Sequence, residues 1–263
     1  METFLFSFPL GQVTHRAFRA WQRNTDTFLR LWKTEGWPPF IDPLLYIVSL
    51  GFGLGAYVEE INGLSYLEFI APAFAMTAGM FTASFECTYG AFIRMEYQKT
   101  FDAMLATPLS VEDVIAGDIL FGATRAVFAS FAVLVIISLF GLIDPIMILA
   151  SLPIAFLSGL MFSALAEIFT AIAPSINSFN YYITLGLTPM FVFSGVFFPI
   201  DQYPEFLQNI AWFIPLYHAV SLQRSLAVGD FSLSLWMDVI WIIVVALVAM
   251  HIALVLMRRR LIK

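Results

Sequence analysis

Long uninterrupted apolar blocks constrain this chain more than any other feature in it. A helix needs about 20 mostly apolar residues to cross a hydrocarbon core of ~30 Å. Six stretches approach or exceed that length: roughly 38–57, 67–93, 114–140, 146–173, 180–198 and 234–257. They do not alternate in polarity, which argues against the strands of a membrane β-barrel. Of the 263 residues, 60% are hydrophobic and 12% charged, against about 25% charged in a soluble domain. The expected fold class is an all-α polytopic membrane protein with six transmembrane helices. Residues 1–12 carry no basic n-region and the next stretch is charged, so no signal peptide is expected. Cys87 is the only cysteine, which leaves no intrachain disulfide.

Basic residues set the expected orientation. Arg16, Arg19, Arg23, Arg30 and Lys33 precede the first block, Arg94 and Lys99 follow the second, and Arg258, Arg259, Arg260 and Lys263 follow the last. With six crossings these all fall on one side, which the positive-inside rule makes cytoplasmic. The loop after the first block carries Glu59 and Glu60 and no basic residue, as suits an external face. Three regions follow: a cytoplasmic N-terminus over 1–36, a transmembrane domain over 37–257, and a basic tail over 258–263. Within the first, Arg16, Arg19, Arg23, Asp26, Arg30 and Lys33 recur every three or four residues, while Ala17, Trp21, Thr25, Phe28 and Trp32 do so on another face. A helix with a basic face and an aromatic face lies in the membrane interface rather than across it.

Two polar segments interrupt the apolar pattern. Residues 199–230 contain apolar runs cut by Pro204 and Pro215, each too short to span; they read as two short external helices dipping back toward the outer leaflet. Residues 94–107 carry Arg94, Glu96, Lys99 and Asp102 and read as a helix of about twelve residues, ~18 Å long, ending before Pro108 because the residue preceding a proline is pushed out of helical geometry. Ser110 with Asp113 three residues on then opens the next helix. Too polar to insert, the 94–107 segment is a cytoplasmic rod tethered tightly between two spans, so a push on it passes to both.

Two stretches, "SFECTYGAFIRMEYQKTFDAMLATPLSVEDVIAGDILFGATRA" (84–126) and "TPMFVFSGVFFPIDQYPEFLQNIAWFIPLYHAVSLQRSLAVGD" (188–230), make the chain resemble the type-2 ABC exporter permeases, and among them the nodulation-type lipo-oligosaccharide export permeases. The resemblance extends over nearly the whole chain after about residue 25. It implies an amphipathic interface helix, six spans, a coupling helix between spans 2 and 3, re-entrant helices between spans 5 and 6, and pairing of two copies with two copies of a cytoplasmic ATPase. On that basis Tyr97, Gln98, Lys99, Thr100, Phe101, Thr107 and Pro108 would meet the ATPase. The residues themselves agree on the division of labour: no G-x-x-x-x-G-K-[ST] occurs, so the chain lacks that phosphate cradle and no enzymatic activity is expected of it. ATP and Mg²⁺ would bind the partner. "GFGLG" (51–55) lies inside an apolar block, where Gly51 and Gly55 form a small-x-x-x-small pair suited to close helix contact.

Glu86, Arg125 and Glu167 stand inside apolar blocks, with Asp118 near the start of the third. A central charge costs about 2.5–3.5 kcal/mol on insertion scales, so it needs a partner or water. Arg125 with Glu86 or Glu167 would make an internal ion pair; lining a substrate path is the other reading. Tyr181, Tyr182, Phe191, Phe193, Phe197 and Phe198 either pack the core or line a conduit at a dimer interface. No Cys, His or carboxylate stands at ligand spacing from His218 or His251, so no metal site is expected. The expected function is the permease subunit of an ATP-driven exporter in the bacterial inner membrane, moving an amphiphile such as a lipid-linked saccharide. A hydrophobic drug is the alternative cargo. An ion-coupled carrier would want titratable groups and discontinuous helices at midplane, which are sparse here; a membrane enzyme would want a cluster of His, Asp or Cys at one face, and the sequence shows none.

Overall fold

The structure is a computed structural model that describes residues 12–58, 60–61, 63–229 and 234–262. Every described segment of regular structure is helical, and the one β pairing among the described residues is a bridge between Ile61 and Leu64. In order these are α1 (Ala17–Glu35), α2 (Pro38–Phe52), α3 (Tyr66–Phe85), α4 (Thr100–Leu105), α5 (Val111–Leu139), α6 (Pro145–Ile172), α7 (Phe179–Tyr181), α8 (Thr188–Phe193), α9 (Glu205–Trp212), α10 (Pro215–Val228) and α11 (Ser234–Leu261). Two π-helical stretches, Glu86–Gly90 and Ile93–Tyr97, prolong α3, and a third, Tyr182–Leu187, joins α7 to α8.

Among the described residues, four helices are long and apolar enough to cross a membrane: Tyr66–Tyr97, Val111–Leu139, Pro145–Ile172 and Leu235–Leu261. The first and fifth apolar blocks form shorter elements. α2 has 15 residues and rises only about 22 Å, because Gly53 ends it and the chain tightens into a 3₁₀ turn over Leu54–Ala56. The rod over 179–193 is of similar length and stops at Ser194 and Gly195. Gly51 makes the close contact its size permits, since an added Cβ would lie 2.6 Å from Leu67 Cδ1; at Gly55 a Cβ would meet Leu50 O at 3.7 Å, an ordinary contact.

Local chemistry fixes where the long helices begin. Ser65 and Glu68 form a reciprocal capping box at the start of α3, Ser110 and Asp113 form another at α5, and Asp144 caps α6 ahead of Pro145 at its first position. Each cap satisfies amide donors that a helix start would leave bare. α3, α5, α6 and α11 pack along one another, α1 lies against α5, and α10 lies against α3, α6 and α11. Their buried faces make two apolar clusters. One holds Ile70, Met76, Leu134, Ile137, Phe162 and Leu216; the other, toward the opposite end, holds Phe92, Phe101, Ile115, Phe179, Leu254 and Met257. The outward face of α11 exposes Trp236, Ile240, Val244, Leu247 and Val248, a stripe suited to lipid rather than water.

Candidate functional site

Beside the second apolar cluster, toward the end of the span that α3 begins, lies a layer of charge. Arg94 is its hub: Nη1 is 2.5 Å from Glu86 Oε1, Nη2 is 2.9 Å from Asp118 Oδ2, and Nη2 also donates to the Glu86 carbonyl at 3.2 Å. The Arg94 side chain is 11% exposed and that of Asp118 0%. In an unbroken α-helix, residues eight apart point about 80° away from each other. The π turns widen the helix and bring Glu86 and Arg94 onto one face, which is where such turns recur at functional sites. Gly90 leaves the room: a Cβ there would sit 2.7 Å from Glu86 Oε1 and 3.1 Å from Arg94 Nη1. From α1, Asn24 Nδ2 donates to Asp118 Oδ1 at 2.8 Å and Trp21 Nε1 donates to Thr124 Oγ1 at 2.9 Å. Arg23, also on α1 and outside the spans, is held below the usual arginine range, first by burial and then by the neighbouring Arg94.

The sequence pairs Arg125 with Glu86 or Glu167; the structure places Arg125 in an ion pair with Glu86 and adds Arg94 as a closer partner of the same carboxylate. Arg125 Nε lies 3.7 Å from Glu86 Oε2 and its guanidinium sits 4.1 Å over the Phe28 ring, but the short bonds to Glu86 come from Arg94. Glu167 is fully buried, and neither carboxyl oxygen has a hydrogen-bond partner among the described residues. One ligand atom each of Cys87, Asp118 and Glu167 lies within 4.8 Å of the others. Asp118 already spends one oxygen on Arg94 and the other on Asn24, a pairing that a cation would have to break.

The rod expected over 94–107 divides in two. Residues up to Tyr97 are the last turn of the span that began at Tyr66. Lys99 then takes a left-handed conformation (φ 54°, ψ 28°), and a separate helix of six residues, Thr100–Leu105, follows. Lys99 turns the chain there without the Gly or Asn that usually announces such a bend. Of the residues expected to meet an ATPase, Tyr97, Gln98, Lys99, Thr107 and Pro108 are exposed, together with Asp102 and Ala103. Thr100 and Phe101 are buried, and Phe101 is an anchor among Phe92, Met95, Met104 and Ile115.

Polar contacts bind this segment to the surrounding helix ends. Arg16 Nη1 donates to the Pro108 carbonyl at 2.6 Å, and the Thr14 amide donates to Asp113 Oδ1 at 2.7 Å. Arg258 at the end of α11 reaches Glu112 at 2.7 Å and Gln12 at 2.8 Å. Arg260 bonds Glu96 at 3.0 Å and the carbonyls of Thr170 and Ala173 at 2.6 and 2.7 Å. A groove of about 340 Å³ runs between α1 and the segment, lined by Arg19, Arg23, Gln98, Ala103 and Thr107 among others. α4 itself packs on the end of the α3 span and on α5, and the flanking Glu96 and Pro108 carry the bonds onward to Arg260 of α11 and to Arg16.

The aromatic residues of the fifth block fall into two sets. Phe191 and Phe197 pack on each other with ring centres 4.8 Å apart and on Phe74, and Tyr182 stacks against Phe169 at 5.3 Å. Tyr181, Phe193 and Phe198 are exposed. His218 has partners that its sequence neighbours do not show: Asp238 Oδ1 lies 2.6 Å from Nδ1 and the Trp212 carbonyl 2.7 Å from Nε2. Sequence reasoning missed Arg94 as hub, and Asn24 and Arg260 as partners. The readable signal was the pair of charges eight residues apart at the end of an apolar block.

A family profile for the ABC-2 type transporter matches residues 16–228. The chain is 34% identical to Nodulation protein J of Rhizobium leguminosarum bv. viciae, over 97% of this chain and 98% of that protein. It is 33% identical to Nodulation protein J of Rhizobium meliloti (strain 1021), over 92% of each. To the inner membrane transport permease YadH of Escherichia coli (strain K12) it is 26% identical, over 86% of this chain and 89% of that one. The chain belongs to the ABC-2 type transporter family: it is a multi-pass, non-catalytic permease component whose ATPase is a separate subunit.

Proposed function

We propose that this permease works as one of two identical subunits of an ATP-driven exporter in the bacterial inner membrane, with two cytoplasmic ATPase subunits that bind the ATP and Mg²⁺. Both termini face the cytoplasm and the chain crosses six times, α2 and the 179–193 rod serving as the two short crossings and 199–230 re-entering from outside. The meeting of Arg16, Arg94, Arg258 and Arg260 at one end of the bundle supports that orientation. The basic and aromatic faces of α1 then lie at the cytoplasmic interface.

One observation carries the reading: an exposed strip formed by Tyr97, Gln98, Lys99, Asp102, Ala103, Thr107 and Pro108 is backed by buried Phe101 and joined, through the Lys99–Glu96 and Glu96–Arg260 ion pairs, to the end of α11. Such a strip is a place for a partner to push. Nucleotide-driven closure of the ATPases would move α4, and the stitched helix ends would move as one body. An ion-coupled carrier has less support, because Arg94 already pairs Glu86 and Asp118. The cargo is an amphiphile; the resemblance to nodulation-type lipo-oligosaccharide export permeases favours a lipid-linked saccharide over a drug. Replacing Thr107 and Pro108 together with glycine, or deleting 97–105, is expected to abolish cargo-stimulated ATP hydrolysis in the reconstituted complex while the chain still inserts. Unaltered stimulation in both variants would contradict the reading.

A further inference from the structure

At the end of the bundle away from α4, a cavity of about 440 Å³ opens between the start of α3, the 194–201 turn and α10. That volume falls in the ~300–1,000 Å³ range of small-molecule sites. Gly195 makes the turn possible, with φ 77° and Ile200 Cγ1 2.9 Å from where a Cβ would be. Arg224 forms part of the wall. Its guanidinium lies 3.8 Å over the Phe69 ring; Nε donates to the Phe69 carbonyl at 3.3 Å and Nη2 to the Gly195 carbonyl at 2.9 Å. Its Nη1 has no hydrogen-bond partner among the described residues, and no described carboxylate pairs with it. Burial draws this arginine down to about 10. Tyr217, Ser221 and Ser225 present hydroxyl-bearing side chains along the same face of α10, and Asp201 stands on the opposite wall.

A tie between α10, α3 and the turn accounts for Nε and Nη2 but leaves the cation without a counter-charge. An oxyanion would supply one, with charge-assisted bonds about twice as strong as neutral ones. We propose that this cavity binds an oxyanion-bearing, hydroxylated head group of the phosphoryl-sugar or phosphoglycerol kind, with Arg224 pairing the anion and Tyr217, Ser221, Ser225 and Asp201 meeting the hydroxyls. The inference deepens the exporter reading and rests on it for its meaning, since on that reading the cavity faces the side where cargo leaves.

The test is binding to the full-length chain in dodecyl maltoside micelles, without ATPase, using dodecyl phosphate and inorganic phosphate as separate probes read by intact-protein mass spectrometry and thermal shift. One dodecyl phosphate per chain is expected to bind saturably, at least tenfold more weakly in Arg224→Gln and less weakened in Arg224→Lys. Displacement by inorganic phosphate identifies a free anion as sufficient; no displacement identifies the amphiphile; both uphold the site. Absence of binding by either probe, or full affinity in Arg224→Gln, overturns it. Should Arg224→Gln fail to fold, Ser221→Phe fills the cavity with Arg224 in place, and unchanged affinity there overturns the proposal equally. Binding without ATP-linked transport would defeat the exporter reading alone, and ATP-linked transport without binding would defeat only this inference.

Discussion

At one end of the bundle Arg94 lies between two carboxylates, 2.5 Å from Glu86 and 2.9 Å from Asp118; at the other, Arg224 lies over Phe69 with two backbone carbonyls as its acceptors. The first arrangement closes on itself. Arg94 is answered by Glu86 on its own span and by Asp118 on α5, and Asp118 by Asn24 on α1, so the hub binds α1, α3 and α5 into one unit. The second is open, with a guanidinium edge beside a cavity and no carboxylate bonded to it among the described residues. The two arginines therefore divide the labour of the chain: one makes a stiff joint near the place where force enters, and the other leaves an unanswered charge at the far end.

Substitutions should separate these roles by size. Arg94→Met leaves Asp118 with Asn24 alone and Glu86 with the 3.7 Å contact to Arg125 alone, and removing one partner of a buried pair costs about 3–5 kcal/mol. The variant should accumulate poorly in membranes and unfold at lower temperature. Adding Glu86→Met and Asp118→Leu should recover part of that loss, and failure to recover any would show that the hub matters through packing rather than charge. Arg224→Met strands no carboxylate; it takes donors from two carbonyls, at about 1–3 kcal/mol if they stay dry. A thermal-unfolding penalty as large as that of Arg94→Met would break the contrast. Smallest is Lys99→Gly, which relieves a left-handed residue of about 1–2 kcal/mol of strain against about 0.5–1 kcal/mol of added chain entropy. Stability should rise slightly, while ATPase stimulation falls because the exposed amine is gone.

The apolar blocks revealed α3, α5, α6 and α11, because length and hydropathy decide a long buried helix without help from its neighbours. The start of α5 was equally legible, since Ser110 and Asp113 are a local device three residues apart. Partners across helices were not. Periodicity places Glu86 on a face but does not say whether Arg94 or Arg125 reaches it, and the π turns that settle the matter have no sequence signature as plain as a proline. Lys99 illustrates the same limit, for nothing local marks it as left-handed, so the expected single rod became a span end and a six-residue helix. Glu167 carried the right polarity for a partner in α5, yet the arginine there turns to Glu86 and Phe28 instead.

The most direct test places a photo- or thiol-reactive crosslinker at Ala103, exposed on α4, in a Cys87→Ala background carrying Ala103→Cys, with Asp201→Cys as the control at the far end. In the complex with its ATPase, the account predicts a crosslink from position 103 to the ATPase whose yield changes between the nucleotide-free and ATP-bound states, and none from position 201. A complex that hydrolyses ATP in response to cargo, yet never crosslinks through position 103, would contradict the claim that this short helix receives the push.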